Sequence, residues 1–322
     1  MSAVTRQRRA GSGRPGGEQP TVPKAEFRSY YGLPILNAPV WHSPDIPGYL
    51  FLGGLAGSSS LLAAGAQLTG RGQLAARSKV IATGAIGLSA VALVHDLGRP
   101  SRFYNMLRVL KPTSPMSVGS WLLAAYGPAA GVAAGASVLG RFRRLGTAAT
   151  AGGAALGPVV ATYTAALLCD TAVPAWHDGY REMAFLFAGS SATAAGGVGL
   201  ITAPRAEAGP ARRLAFIGAA LETAAARRME HRLGLVAEPY QRGPAGRYMK
   251  AGEALTVAGL VLAVTGRRSR VVSAVAGSAL AAASACTRFG VFEAGKQSAA
   301  DPKYTVEPQR HRAGNSVPAP AR

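Results

Sequence analysis

Hydrophobic and polar positions alternate along this chain in blocks, not in single steps. Uncharged stretches are separated by short clusters of arginine, histidine and acids. A run of about 18 apolar residues or more is long enough to cross a hydrocarbon layer about 30 Å thick. The pattern predicts eight spans, at 46–69, 77–95, 117–139, 145–169, 183–203, 211–229, 251–267 and 271–290. Each reads as a helix, because only helices and closed barrels satisfy backbone polar groups in lipid. The residue-by-residue alternation of barrel strands is missing. The predicted fold class is therefore all-α, a polytopic membrane bundle of about eight transmembrane helices. Strings such as "GLAGSSSLLAAGA" and "AGSSATAAGGVG" supply the small residues that let helix backbones approach closely in lipid. Pro128 and Pro158 fall inside spans and predict kinks.

The sixth span breaks the pattern. In "ARRLAFIGAALETAAARRMEH" arginines stand at both ends and Glu222 interrupts the apolar middle. It reads as a crossing whose arginine side chains reach back to the interface. An amphipathic helix lying on the membrane surface is the alternative.

Composition then sets the boundaries. Residues 1–40 include "TRQRRAGSGRPGGEQP", which lacks the apolar centre of a signal segment and reads as a disordered basic tail. The bundle occupies 41–295, and 296–322 reads as a disordered C-terminal tail. The net charge of +20 would suggest nucleic acid in a soluble chain. Here basic loops flank membrane spans, so lipid is the expected surroundings and no nucleic-acid partner is predicted. The reading is a multi-pass protein of the cell (inner, cytoplasmic) membrane, its termini leaning to the cytoplasm by the distribution of Lys and Arg. Two cysteines, Cys169 and Cys286, are too few for a Cys-rich metal or iron–sulfur centre. No haem or metal is expected in this chain.

Eight spans place both termini on one face. All five histidines fall there, His42, His95, His177, His231 and His311, as does every acid except Glu207 and Glu222. The other face has only short basic turns. Three polar clusters stand out on the equipped face: "WHSPDIPGYLFLGG" (41–54), "HDLGRPSRFYNML" (95–107) and "VPAWHDGY" (173–180). Asp45 also suits the first turn of a helix, where carboxylates are favoured. Aromatic, histidine and acid groups at one lipid–water boundary suit oxidation of a lipid-soluble quinol. That chemistry needs an apolar slot for the ring and proton-exchanging groups at its oxygens.

Three strings carry a resemblance. "IPGYLFLGGLAGSS", "DLGRPSRFYNML…PMSVGSW" and "YTAALL…VPAW…LFAGSSATAAGG" resemble the NrfD/polysulfide-reductase family of integral membrane subunits, in order, over about residues 38–290. The resemblance implies an eight-helix bundle that binds menaquinone or ubiquinone near the face where an iron–sulfur (ferredoxin-like) subunit docks. That subunit exchanges electrons with a molybdopterin-type catalytic subunit, as in formate dehydrogenase or polysulfide reductase. On its own such a chain completes no redox reaction. By position, His42 resembles the family's quinone-binding histidine and Tyr163 its quinone-facing tyrosine. The string here reads "YTA", with Ala165 where the family has glycine. Asp45 and His177 join them as candidate quinone contacts. Asp96, Arg99 and Arg102 resemble the family's loop and read as a docking or structural element.

Glu222, an acid inside a span, is a candidate proton-relay group, since intramembrane carboxylates are functional by default. With the kinked third and fourth spans it also motivates a second reading, a small-solute or ion transporter; a third reading is a purely structural membrane tether for a soluble partner.

Overall fold

The structure, a computed structural model, describes residues 35–99 and 101–316. Eight long helices form the bundle: α1 (Asp45–Leu68), α2 (Gly72–Asp96), α4 (Pro115–Leu139), α5 (Arg143–Cys169), α7 (Tyr180–Thr202), α8 (Gly209–Leu233), α10 (Gly243–Thr265) and α11 (Arg270–Ala300). Short helices α3 (Arg102–Met106), α6 (Pro174–His177) and α9 (Glu238–Gln241) lie in the connections on one face, and α12 (Lys303–Ser316) follows the bundle. No strand occurs among the described residues. Each predicted span corresponds to one long helix. Pro128 and Pro158 sit inside the continuous helices α4 and α5.

Among the described residues, seven of the eight long helices are long and apolar enough to cross a membrane. The exception is α8, whose charges dilute its hydropathy. Its packing answers the question the sequence leaves open. It runs antiparallel to α7, with Gly189 against Gly218 and Glu222, Gly196 against Ala211 and Ala215, and Gly199 against Ala211. A helix seated along the whole length of a spanning neighbour crosses with it, so the surface alternative does not hold. Small residues make this seam close. A Cβ on Gly196 would stand 2.6 Å from both the Ala211 carbonyl oxygen and the Ala215 amide nitrogen. The charges of α8 gather toward its ends. Buried Glu182 of α7 accepts hydrogen bonds from Arg232, at 2.5 to 3.0 Å, and Arg228 lies 3.5 Å from the same carboxylate.

The face opposite the termini is held by side chains acting on helix ends. Arg270 donates to the carbonyls of Ile201 and Ala203, and Arg77 to that of Thr202, at the C-terminus of α7. Arg212 donates to the Ala263 carbonyl near the end of α10 at 2.8 Å. Glu207 accepts from the Leu74 amide at 2.7 Å in the first turn of α2. Cations at C-terminal carbonyls and a carboxylate at an N-terminus satisfy groups that helices leave open. The basic turns are therefore staples as well as membrane anchors.

At the termini face the core is aromatic. Trp176 is fully buried, donates from its indole to the Val291 carbonyl at 2.8 Å and stacks on Trp41, with ring centres 5.6 Å apart. Tyr240 donates to the Ala175 carbonyl at 2.8 Å.

The C-terminal boundary differs from the expected tail. Beyond 296, α11 continues to Ala300, where the Ser298 hydroxyl accepts from the Ala175 amide at 3.2 Å. The described part of α12 is tied down by Lys303, 2.9 Å from Glu238, and by the largely buried Tyr304, which donates to Glu238 at 3.2 Å. A tail that finds buried partners folds. The N-terminal tail expected over 1–40 lies outside the described residues as far as residue 34, and the end of the C-terminal one lies outside them after 316.

Candidate functional site

The approach to α1 and the end of α2 are joined by two reciprocal couples. His42, three residues before α1, meets Asp96 at the end of α2. Its backbone amide donates to Asp96 Oδ1 at 3.1 Å, and its ring Nδ1 lies 3.2 Å from the same oxygen. Asp45, the first residue of α1, meets His95, with Nδ1 2.8 Å from Oδ2. Both carboxylates are mostly covered, at 12% exposure for Asp96 and 21% for Asp45, while both imidazoles are open, at 73% and 77%. The couples thus have a protein-facing acid and a solvent-facing base. Among the described residues, no group of three or more His, Cys, Asp or Glu side chains converges as a metal site.

Behind Asp96 lies a cavity of about 270 Å³ between α1, α2, α3, α4 and α5. Most of its wall is apolar: Ile46, Leu50, Leu93, Met106, Met116 and Leu123 contribute. The polar exceptions include Asp96, Arg102, Asn105, Ser120 and Tyr163. Ser120 is already engaged, donating to the Met116 carbonyl at 2.9 Å. Tyr163 differs, because its buried hydroxyl has no hydrogen-bond partner. A buried polar atom without a partner is costly, so this hydroxyl is free to bond to a polar group that enters the cavity. Gly119 on α4 makes room for the Tyr163 ring, since a Cβ there would collide with it.

The residues singled out from the sequence divide as follows. Tyr163 lines the cavity. His42 does not line it and reaches it only through Asp96. Asp45 is likewise absent from the wall and is taken up by His95. His177 stands at the end of α6, exposed, its Nδ1 3.1 Å from the Cys169 carbonyl, and is not part of the wall. In the loop, Arg102 joins Asp96 in the wall and Arg99 is exposed. From the sequence Asp96 reads as a loop residue, and Gly119 and Asn105 carry no signal of their own. An acid directly after His95, at the very end of an apolar span, is the signal that marks Asp96.

Glu222 is elsewhere. It is 8% exposed, accepts from the Thr287 hydroxyl at 2.7 Å through Oε1, and has no partner at Oε2. Nearby, fully buried Arg288 donates to the Phe187 carbonyl and to Ser191 Oγ, each at 2.7 Å, and stacks on the Phe187 ring at 3.7 Å. Arg288 was not singled out from the sequence. A single charge in the uncharged run of α11 is the trace it leaves there.

Comparison with known proteins identifies a family. The family model described as "Polysulphide reductase, NrfD" matches residues 34–215, more than half of the chain. A search of curated proteins finds no match. Members of that family are membrane subunits of oxidoreductase complexes, generally partnered by iron–sulfur and molybdopterin subunits. With its multi-pass helical bundle and this match over α1 to α7, the chain belongs to the polysulphide reductase NrfD family.

Proposed function

We propose that this chain binds a quinone or quinol, menaquinone or ubiquinone, in the cavity behind Asp96, and exchanges electrons between the membrane quinone pool and an iron–sulfur subunit docked on the termini face. The observation that carries this reading is the pairing, in one apolar cavity, of an unpartnered tyrosine hydroxyl with a carboxylate backed by a solvent-exposed histidine. Small-molecule pockets begin at roughly 300 Å³, so a cavity of about 270 Å³ suits a ring whose tail stays outside.

The chemistry follows from the donors. Tyr163 donates its free hydroxyl hydrogen to one ring oxygen and fixes the ring. Oxidation of the quinol releases two protons with its two electrons: the one from the hydroxyl beside Tyr163 leaves to water at the mouth of the cavity, and Asp96 takes the one from the opposite ring hydroxyl. His42, on the far side of Asp96 and open to water, receives that proton in turn, because an imidazole nitrogen can accept a proton and its ring can pass one on to water. Two electrons leave the ring for the docked subunit. In the direction of quinone reduction the same groups deliver protons. Arg99 and Arg102, on the face above the cavity, are the proposed contacts for that subunit, which passes electrons to or from a molybdopterin-type partner.

The test is made on the assembled complex. Asp96→Asn should lower quinone-dependent turnover by about 10²-fold or more, the range for losing a positioned acid–base group. Tyr163→Phe should chiefly raise the KM for quinone. Activity of the catalytic partner with an artificial dye should persist in both. Unchanged quinone turnover in the two variants refutes the assignment.

A further inference from the structure

A second opening has no part in the reading above. A cleft of about 620 Å³ lies between α8, α9, α10 and α11, separate in its lining from the Asp96 cavity. Near its outer end stand Glu230, Gln241 and Arg242. Arg227, Lys250, Glu253 and Thr256 follow along α8 and α10, and Glu222 and Thr287 reach it from the interior. At 1.5 Å per residue, Glu222 is about 16 Å along α8 from its C-terminal end, near the middle of the bundle. The cleft therefore descends from the termini face to a mid-membrane acid.

Its charges balance, Arg227, Arg242 and Lys250 against Glu222, Glu230 and Glu253. Such a wall favours neither anions nor cations as cargo, and its many polar groups favour water. At its inner end Glu222 has a second carboxylate oxygen with no well-formed hydrogen bond, the Ser190 and Thr193 hydroxyls of α7 standing nearby. Past Glu222 the packing closes. There Ala211 and Ala215 of α8, Ala263 of α10 and Ala276 and Leu280 of α11 belong to one buried apolar cluster, with Leu214 and Leu260 packed against it, and Arg212 of α8 donates to the Ala263 carbonyl at 2.8 Å. An apolar plug of this kind offers no path to a column of water. Arg288, also with unpartnered nitrogens, stands beside Glu222 at the closed end.

We propose that this cleft is an aqueous half-channel that exchanges protons between the termini face and Glu222, and that it is shut toward the opposite face. The inference stands on the cleft alone and does not depend on quinone binding in the other cavity. The groups that face Glu222 or line its route are Ser190 and Thr193 from α7, Thr287 and Arg288 from α11, Arg227 and Glu230 from α8, Lys250 and Glu253 from α10, and Arg242 beside α9. The route needs no redox partner, since a proton enters and leaves by the same mouth.

Two measurements on the full chain in sealed, oriented proteoliposomes test it. In a Cys169→Ser, Cys286→Ser background, Thr256→Cys should react with a charged, membrane-impermeant methanethiosulfonate added on the termini side. It should not react with reagent on the other side, and lipid-facing Val261→Cys should react from neither. Protection of Thr256→Cys from both sides, as by a dry cleft or one filled with phospholipid, overturns the proposal, as does labelling from the far side. In the otherwise native chain, the infrared carboxyl signal identified by its loss in Glu222→Gln should follow a pH step applied on the termini side. A signal that follows the opposite side, or that does not move, overturns it independently of any cysteine variant.

Discussion

At the scale of the residue, the geometry around Tyr163 makes Gly119 as telling as any polar group. Adding one methyl group at Gly119 drives it into the Tyr163 ring and turns the phenol away from the cavity. Gly119→Ala is expected to keep the bundle folded yet raise the KM for quinone. Because the two residues touch, the double variant Gly119→Ala, Tyr163→Phe should lose little beyond the larger single loss. Steady-state quinone kinetics on the four species of that cycle provide the check; full additivity would mean the two positions act separately. The same scale shows where sequence reading stops. Residue type and order mark His42 and Tyr163, but Tyr163 is a wall residue and His42 only touches an acid 54 positions away. Nothing in the local string around His177 reveals that its ring turns to the Cys169 carbonyl. Side-chain direction is a product of tertiary packing, and composition is silent on it.

At the scale of the element, long uncharged runs made seven helices legible, because length and hydropathy alone decide that a segment can cross lipid. The eighth was ambiguous for a physical reason. Its fitness to cross lies in a row of small residues that match α7, not in its own hydropathy. That seam predicts a sharp difference between glycines. Gly196→Ala forces α7 and α8 apart and is expected to cost about 1–3 kcal/mol, as overpacking does. Gly131→Ala on α4, where an added Cβ meets nothing, should be neutral or slightly stabilising. Thermal unfolding in detergent measures both, and equal effects at the two sites would contradict the seam.

At the scale of the whole molecule, the C-terminal segment is a clasp governed by charge. Lys303 holds the Glu238 carboxyl below the usual carboxylate range, and Glu238 in turn raises the Lys303 ammonium above its ordinary value. A lowered acid contributes fully above about pH 4.3, the ordinary glutamate value, and its contribution fades as pH falls through the lowered native value. A raised base contributes fully below about pH 10.4 and fades as pH rises through its native value. Between those limits α12 should stay docked. Hydrogen exchange, corrected for intrinsic rates, should show Lys303–Val306 protected across that window and released outside it. In Glu238→Gln the acid limb of the profile should disappear.

The two openings also divide the chain in its order of residues. Every residue lining the Asp96 cavity lies between Trp41 and Leu168, whereas the Glu222 cleft draws only on Leu186 and later positions. The family match stops at residue 215, seven positions short of Glu222. A splice placed at that point, joining the front of this protein to the back of a relative, would carry the Tyr163 chamber across intact and exchange most of the lining of the other opening. The two could then be inherited, altered or lost as separate modules within one bundle.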